Sequence, residues 1–179
     1  PYLSDGVTPN TNSNIKTLSG ETTSDGIEIG CNGNIASNFY FITGYSYNDI
    51  RFTHTSGEKG SNIEGERLVD APAHTANAAL FYTFNKTLKG LKIGAGGFYT
   101  GPRLGGYNNK VGQSISGNRL VALSGFSTVD LSAGYTYKNV SLQLRLSNIF
   151  NTLNYLVHDN YSITPIAPRE FRATVSCRF

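Results

Sequence analysis

The sequence predicts an all-β chain: an antiparallel up-and-down sheet that forms a segment of a transmembrane β-barrel. Three observations carry that prediction. Apolar residues recur with period two and show no helical periodicity. The segments that alternate are long, and the connections between them are short and long in turn. The second and third of these separate a membrane sheet from an ordinary soluble one.

Seven segments alternate: Ile15–Asn32, Phe39–Arg51, Ala73–Phe84, Leu91–Gly101, Thr128–Tyr137, Val140–Phe150 and Pro168–Phe179. Most exceed the roughly 5–6 residues usual in soluble sheets and suit a tilted strand crossing a bilayer, which needs about 9–11. In the fifth, Val129, Leu131, Ala133, Tyr135 and Tyr137 share one face, and Asp130, Ser132, Gly134, Thr136 and Lys138 the other. The sixth sets Leu142, Leu144 and Leu146 against Ser141, Gln143, Arg145 and Ser147. The seventh sets Phe171, Ala173, Val175, Cys177 and Phe179 against Arg172, Thr174, Ser176 and Arg178. The second is the least regular, because Tyr40 and Ile42 interrupt its polar face.

Charge placement sharpens the pattern. Within the central runs of these segments the charged residues are Glu28, Lys92, Asp130, Arg145, Arg172 and Arg178, all on the parity opposite the apolar set. Chance would give that about once in 64, since parity fixes the face of every residue. One face excludes charge and the other accepts it.

A half-buried sheet in a soluble sandwich alternates in the same way. The connections favour the barrel. Gly33–Asn38, Asn85–Gly90 and Lys138–Asn139 are short, whereas Phe52–Pro72, Pro102–Ser127 and Asn151–Ala167 are long. In an up-and-down sheet these fall on opposite ends, the asymmetry of outer-membrane barrels, whereas compact soluble domains seldom hold several long structureless loops. Tyr45, Tyr47, Tyr82, Phe84, Tyr99, Tyr135, Tyr137 and Phe179 lie toward strand ends, where an interfacial aromatic girdle would put them.

Composition excludes other classes. No apolar run approaches the roughly 18 residues of a membrane helix. Cys31 and Cys177 are too few for a disulfide framework or a zinc site. A net charge of +3 with scattered Lys and Arg leaves no nucleic-acid footprint. The first residues show no export signal, so the chain reads as mature or as a piece of something longer. Nucleophile elbow, phosphate loop and HExxH are all missing, so no enzyme is expected; Asp70 with His74 comes nearest to a catalytic pair. His54 and His74 have no metal-ligand partner at useful spacing and read as structural.

Six blocks, in order, resemble the C-terminal part of TonB-dependent outer-membrane receptors, particularly ferric-siderophore receptors. They are SGETTSDGIEIGCNGNI at Ser19–Ile35, GYSYNDI at Gly44–Ile50, GERLVDAPAHTANAALFYTF at Gly65–Phe84, GAGGFYTGPRLGG at Gly94–Gly106, FSTVDLSAGYTYKNVSLQLRLSNIFNTLNY at Phe126–Tyr155 and APREFRATVSCRF at Ala167–Phe179. Cys177 departs from the family, which more often has an aromatic there.

The resemblance implies that residues 1–179 are the last seven or so strands of a roughly 22-stranded barrel, without the plug domain or the TonB-contacting segment. Seven strands are fewer than the usual barrel minimum of eight, and an open sheet cannot sit in lipid, so a fragment is expected. Partners implied are outer-membrane lipid, the rest of the receptor, the TonB complex through the missing N-terminal part, and the barrel-assembly machinery, which would read the terminal Phe179. The cargo implied is a ferric siderophore, of hydroxamate type by overall likeness to ferrichrome and ferrioxamine receptors, with no cofactor bound directly. Tyr107, Asn108, Arg119, Tyr155, His158 and Tyr161 in the long loops are the candidate ligand contacts. Glu28, Lys92, Asp130, Arg145, Glu170 and Arg172 are the candidate lumen- and plug-facing residues. A passive porin, or a soluble sandwich or lipocalin-like binder, are the competing readings.

Overall fold

The structure is a computed structural model that describes residues 20–113, 120–158 and 162–179. Among these residues there is no helix. Seven strands form one antiparallel sheet: β1 (Glu21–Ala36), β2 (Phe39–His54), β3 (His74–Thr83), β4 (Leu91–Thr100), β7 (Phe126–Tyr137), β8 (Val140–Ser147) and β11 (Glu170–Cys177), in chain order across the sheet. Two small hairpins stand apart from it, β5 (Arg103–Gly106) with β6 (Leu120–Leu123), and β9 (Tyr155–Val157) with β10 (Ile163–Pro165).

The seven main strands are those expected, with altered ends. The first runs on to Ala36 instead of stopping at Asn32, because Gly33 and Asn34 pair with Phe41 and Tyr40 of β2, leaving Ser37 and Asn38 as the turn. The second continues to His54 instead of Arg51, since β1 pairs with it as far as Glu21. The sixth ends at Ser147 instead of Phe150, where Asn148 takes a left-handed backbone (φ 48°). The long connections are not structureless. The second and third carry hairpins whose strands are three or four residues long, too short to register as periodicity.

Register makes the two faces continuous. One cross-strand row reads Gly33–Phe41–Leu80–Ala95–Leu131–Leu146–Phe171, and the next reads Phe39–Tyr82–Ile93–Ala133–Leu144–Ala173. Neither contains a charge. The opposite face carries Glu28, Lys92, Asp130, Arg145, Glu170 and Arg172. A slip of one residue anywhere would turn a whole strand over, so the continuity ties all seven strands to a common apolar environment.

That environment is not supplied by the described residues. Their buried apolar side chains are only Leu123 and Val157, both among the loops. Ile27, Ile29, Phe171 and Val175 on the apolar face are 62–65% exposed. A soluble sandwich would cover such a face with a second layer; among the described residues none stands against it.

Aromatic rings bound the band. Tyr45, Tyr47 and Tyr99 lie at the long-loop end of the apolar face, and Phe39, Tyr82, Tyr135 and Tyr137 at the tight-turn end. From Phe39 to Tyr47 is about 27 Å along the strand, or about 20 Å vertically at a 40° tilt, close to the band of a membrane barrel. Charge begins just beyond. Asp49, opposite Asp25, pairs with Arg51 at 2.9 Å and with Arg67 at 3.2 Å.

A charge on the apolar face of β11 is expected to be far costlier than one a residue away. Ala173→Arg should cost about 2–4 kcal/mol at the middle of the band and Thr174→Arg little. Heat-modifiable electrophoretic mobility of the two variants in the full-length protein measures this; equal losses would contradict the assignment of faces.

Candidate functional site

The three long loops, at one end of the sheet, bind one another. In the first, residues 55–73 turn back along the second. Asn108 is buried (8% exposed) and spans the two: its Nδ2 donates to the Arg67 carbonyl at 2.7 Å, and its Oδ1 accepts from Val69 N at 3.4 Å. Asp70 N donates to the Leu104 carbonyl (2.7 Å), Asn109 Nδ2 to Glu66 Oε1 (2.9 Å), and Lys110 Nζ to Asn62 Oδ1. Gly60 and Ser61 exchange backbone bonds with Val111.

The second and third loops meet at Arg103. Its guanidinium is buried, donates through Nη2 to the Tyr155 carbonyl at 2.8 Å, and stands 5.7 Å from the centre of the Phe126 ring. Gly105 allows the contact: a Cβ there would lie 2.6 Å from Val157 Cβ, so only glycine lets β5 approach β9 this closely. Val157 and Leu123 thereby form a small dry centre. Asn154 Nδ2 closes the junction on the Ser124 carbonyl (3.0 Å).

All three loops converge on Asp70. Partial desolvation raises its carboxyl above the usual carboxylate range, while the charges of Arg103 and His158 pull in the opposite direction. At the foot of the third loop the buried Asn148 donates Nδ2 to the Thr152 and Ala167 carbonyls and accepts at Oδ1 from Thr152 N. Its own N–H donates to Asp130 Oδ1 at 2.9 Å, tying the loop to the polar wall.

Of the expected loop residues, the structure brings Tyr107, Asn108, Tyr155 and His158 into this crown; Arg119 and Tyr161 lie outside the described residues. Tyr107 is half-buried, and the amide of Asn108 is committed to the first loop. Tyr155 holds Arg103 through its backbone and leaves its ring 41% exposed. His158 is exposed and lies near Thr164, with Nε2 3.4 Å from its hydroxyl. Sequence reasoning does not single out Arg103 or Asn148. Their signals are slight: an Arg between Pro102 and a Leu-Gly-Gly run, and an Asn four residues before Thr152.

On the polar face, Arg145 pairs with Asp130 at 2.7 Å and Arg172 with Glu170 at 2.9 Å, and Ser46 donates to Glu28 at 3.4 Å. A groove of about 410 Å³ runs between that ladder and Asn148. Among the described residues no cluster of His, Cys, Asp and Glu could hold a metal. Cys31 and Cys177 are free, on strands at opposite edges of the sheet.

Comparison with known proteins agrees with this arrangement. The family model described as TonB dependent receptor-like, beta-barrel, matches residues 2–149. A probable TonB-dependent siderophore receptor, PiuA of Acinetobacter baumannii, is 28% identical over 152 residues, covering 80% of this chain. The pyoverdine receptor FpvA of Pseudomonas aeruginosa, solved with pyoverdine bound, superposes with a TM-score of 0.71 at 21% identity, covering 88% of this chain and 22% of its own. The ferric-catecholate import receptor Fiu of Escherichia coli K12 gives a TM-score of 0.70 at 21% identity, covering 94% of this chain and 22% of its own. These two show the shared fold. The chain spans 18% of the length of PiuA, about a fifth. A sheet with one unbroken apolar face, crowned by interlocked loops and matched by the barrel model over most of its length, belongs to the TonB-dependent receptor family, whose barrels lie in the outer membrane.

Proposed function

We propose that this chain is the C-terminal part of the barrel of a receptor that takes up a ferric siderophore across the outer membrane with energy delivered through TonB. The observation that carries the reading is the pairing of a charge-free, register-continuous face with a built loop crown at one end of it. A passive porin also has an apolar face and long external loops, so binding of a chelate is what separates the two readings. In this reading the crown faces the cell exterior, the apolar face meets lipid, and the polar face lines a lumen filled by the plug domain. The exposed Tyr155 ring and His158 are the described residues best placed to touch a bulky chelate.

The finer reading is a hydroxamate-type chelate, which rests on overall likeness to ferrichrome and ferrioxamine receptors and on no ligand motif of its own. PiuA is named a siderophore receptor, FpvA a pyoverdine receptor and Fiu a ferric-catecholate receptor. Their names support the broad class without choosing within it. Uptake of radiolabelled iron as hydroxamate, catecholate or pyoverdine chelates, by iron-starved cells with and without TonB, tests both levels. TonB-dependent uptake of the hydroxamate is expected. Uptake of another chelate overturns the finer reading, and TonB-independent passage of small solutes with no chelate uptake overturns the broader one.

Breaking the crown should reach the ligand indirectly. Arg103→Ala removes a buried charged donor worth about 1.5–3 kcal/mol, so cleavage of residues 148–169 by added protease should rise by about tenfold or more. Unchanged cleavage would show that the loops do not depend on that contact. Deleting Phe179, fully exposed at the end of the chain, is expected to slow assembly by the barrel machinery and leave chelate affinity intact. Surface display and ligand titration of the truncated full-length receptor measure the two separately.

A further inference from the structure

The two ends of the sheet differ in charge. Every Asp and Glu among the described residues lies toward the long loops or on the polar face. The turns at the other end carry Lys86 and Lys89, between β3 and β4, and Lys138, between β7 and β8. No Asp or Glu occurs in residues 80–94 or 131–145, and none of the three lysine side chains has an ion pair or hydrogen bond among the described residues. Both turns adjoin the apolar face. Lys138 Nζ stands 5.4 Å from the centre of the Tyr137 ring, and a Cβ on Gly90 would lie 3.9 Å from the Tyr135 ring. Those rings share the face of Leu131 and Ala133, so the lysines sit at its border, where aromatic side chains meet the headgroup layer.

Beside these turns the apolar face is hollow. Leu80, Ala95 and Leu131 stand side by side on β3, β4 and β7, and the small Ala95 between two leucines leaves a depression of about 410 Å³. Phe39, Tyr82 and Ile93 wall it on the side toward the turns. Its volume falls within the range of small-molecule pockets, about 300–1,000 Å³. Tyr82 and Lys86 are four residues apart, at most about 14 Å of chain. The two basic turns are two strand spacings apart, about 10 Å, so their flexible lysines can reach one group between them. Hollow and cations thus lie at adjoining depths, one in hydrocarbon and the other just outside it. A neutral lipid would fill the hollow and leave the lysines to water, and a soluble anion would meet the lysines and leave the hollow unfilled. A lipid with a net negative headgroup answers both.

We propose that the hollow at Ala95 and the lysines of the two adjoining turns seat one anionic phospholipid of the leaflet at the tight-turn end. Its acyl chain lies against Leu80, Ala95 and Leu131, and its phosphate lies among Lys86, Lys89 and Lys138. The proposal rests on the reading of the apolar face as lipid-facing. It adds to that reading a discrete site and the charge of its occupant.

Native mass spectrometry of the full-length protein, delipidated in detergent and titrated with phosphatidylglycerol or phosphatidylcholine of matched chains, tests it. One phosphatidylglycerol should be held at least about tenfold more tightly, since each lysine near an anionic lipid surface contributes about fivefold. Lys86→Gln, Lys89→Gln and Lys138→Gln together should abolish the preference. Ala95→Phe fills the hollow and keeps the face apolar, so it should weaken phosphatidylglycerol binding by about tenfold while heat-modifiable mobility is retained. Equal binding of the two lipids, or an unchanged preference in the lysine variant, would overturn the proposal. Competition by glycerol phosphate as strong as by the lipid would show a free-anion site and overturn it equally. Failure of a lipid-phase carbene reagent to label Leu80 and Leu131 in membrane vesicles would instead overturn the lipid-facing reading itself.

Discussion

Every backbone amide and carbonyl inside a hydrocarbon layer must find a partner on a neighbouring strand, and that requirement governs the rest of this sheet. Strands that pair along their whole length have no freedom to slide, because sliding by one residue exchanges their faces. The sheet meets the demand from β2 through β8. Among the described residues it leaves it unmet along the outer edges of β1 and β11, where the sheet stays open. The same constraint explains why the described residues have almost no core in the usual sense. Their apolar surface is directed outward in a single layer, and the stabilising medium is a solvent other than water.

This accounts for how much is legible in the residues alone. The strands of the C-terminal half are legible because alternation there is strict, as in Leu142, Leu144 and Leu146 against Gln143 and Arg145. The end of β1 is less so. Gly33 and Asn34 look like turn residues, and only their pairing with Phe41 and Tyr40 keeps them extended. The hairpins β5–β6 and β9–β10 leave no periodic trace, since three or four residues cannot show one and their position depends on contacts between loops.

The loop crown is harder still. An Arg in a Gly-rich loop resembles any solvated Arg until β9 is seen to supply the Tyr155 carbonyl and Phe126 its ring. Asn108 can be singled out, but nothing in its sequence neighbourhood says that its amide faces Arg67 and Val69, 41 and 39 residues earlier. Such contacts belong to the tertiary level. The second strand is intermediate: the irregularity of Tyr40 and Ile42 is visible in one dimension, and only the register sets Phe81 beside Tyr40.

Three of the bonds that join the loops run from a side chain to a main-chain carbonyl: Arg103 to Tyr155, Asn108 to Arg67 and Asn154 to Ser124. A carbonyl oxygen is present whatever side chain its residue bears. A change of side chain at Ser124 thus leaves the bond from Asn154 in place and the scaffold beneath keeps its shape. The loops can exchange side chains at such carbonyl positions without rebuilding their frame.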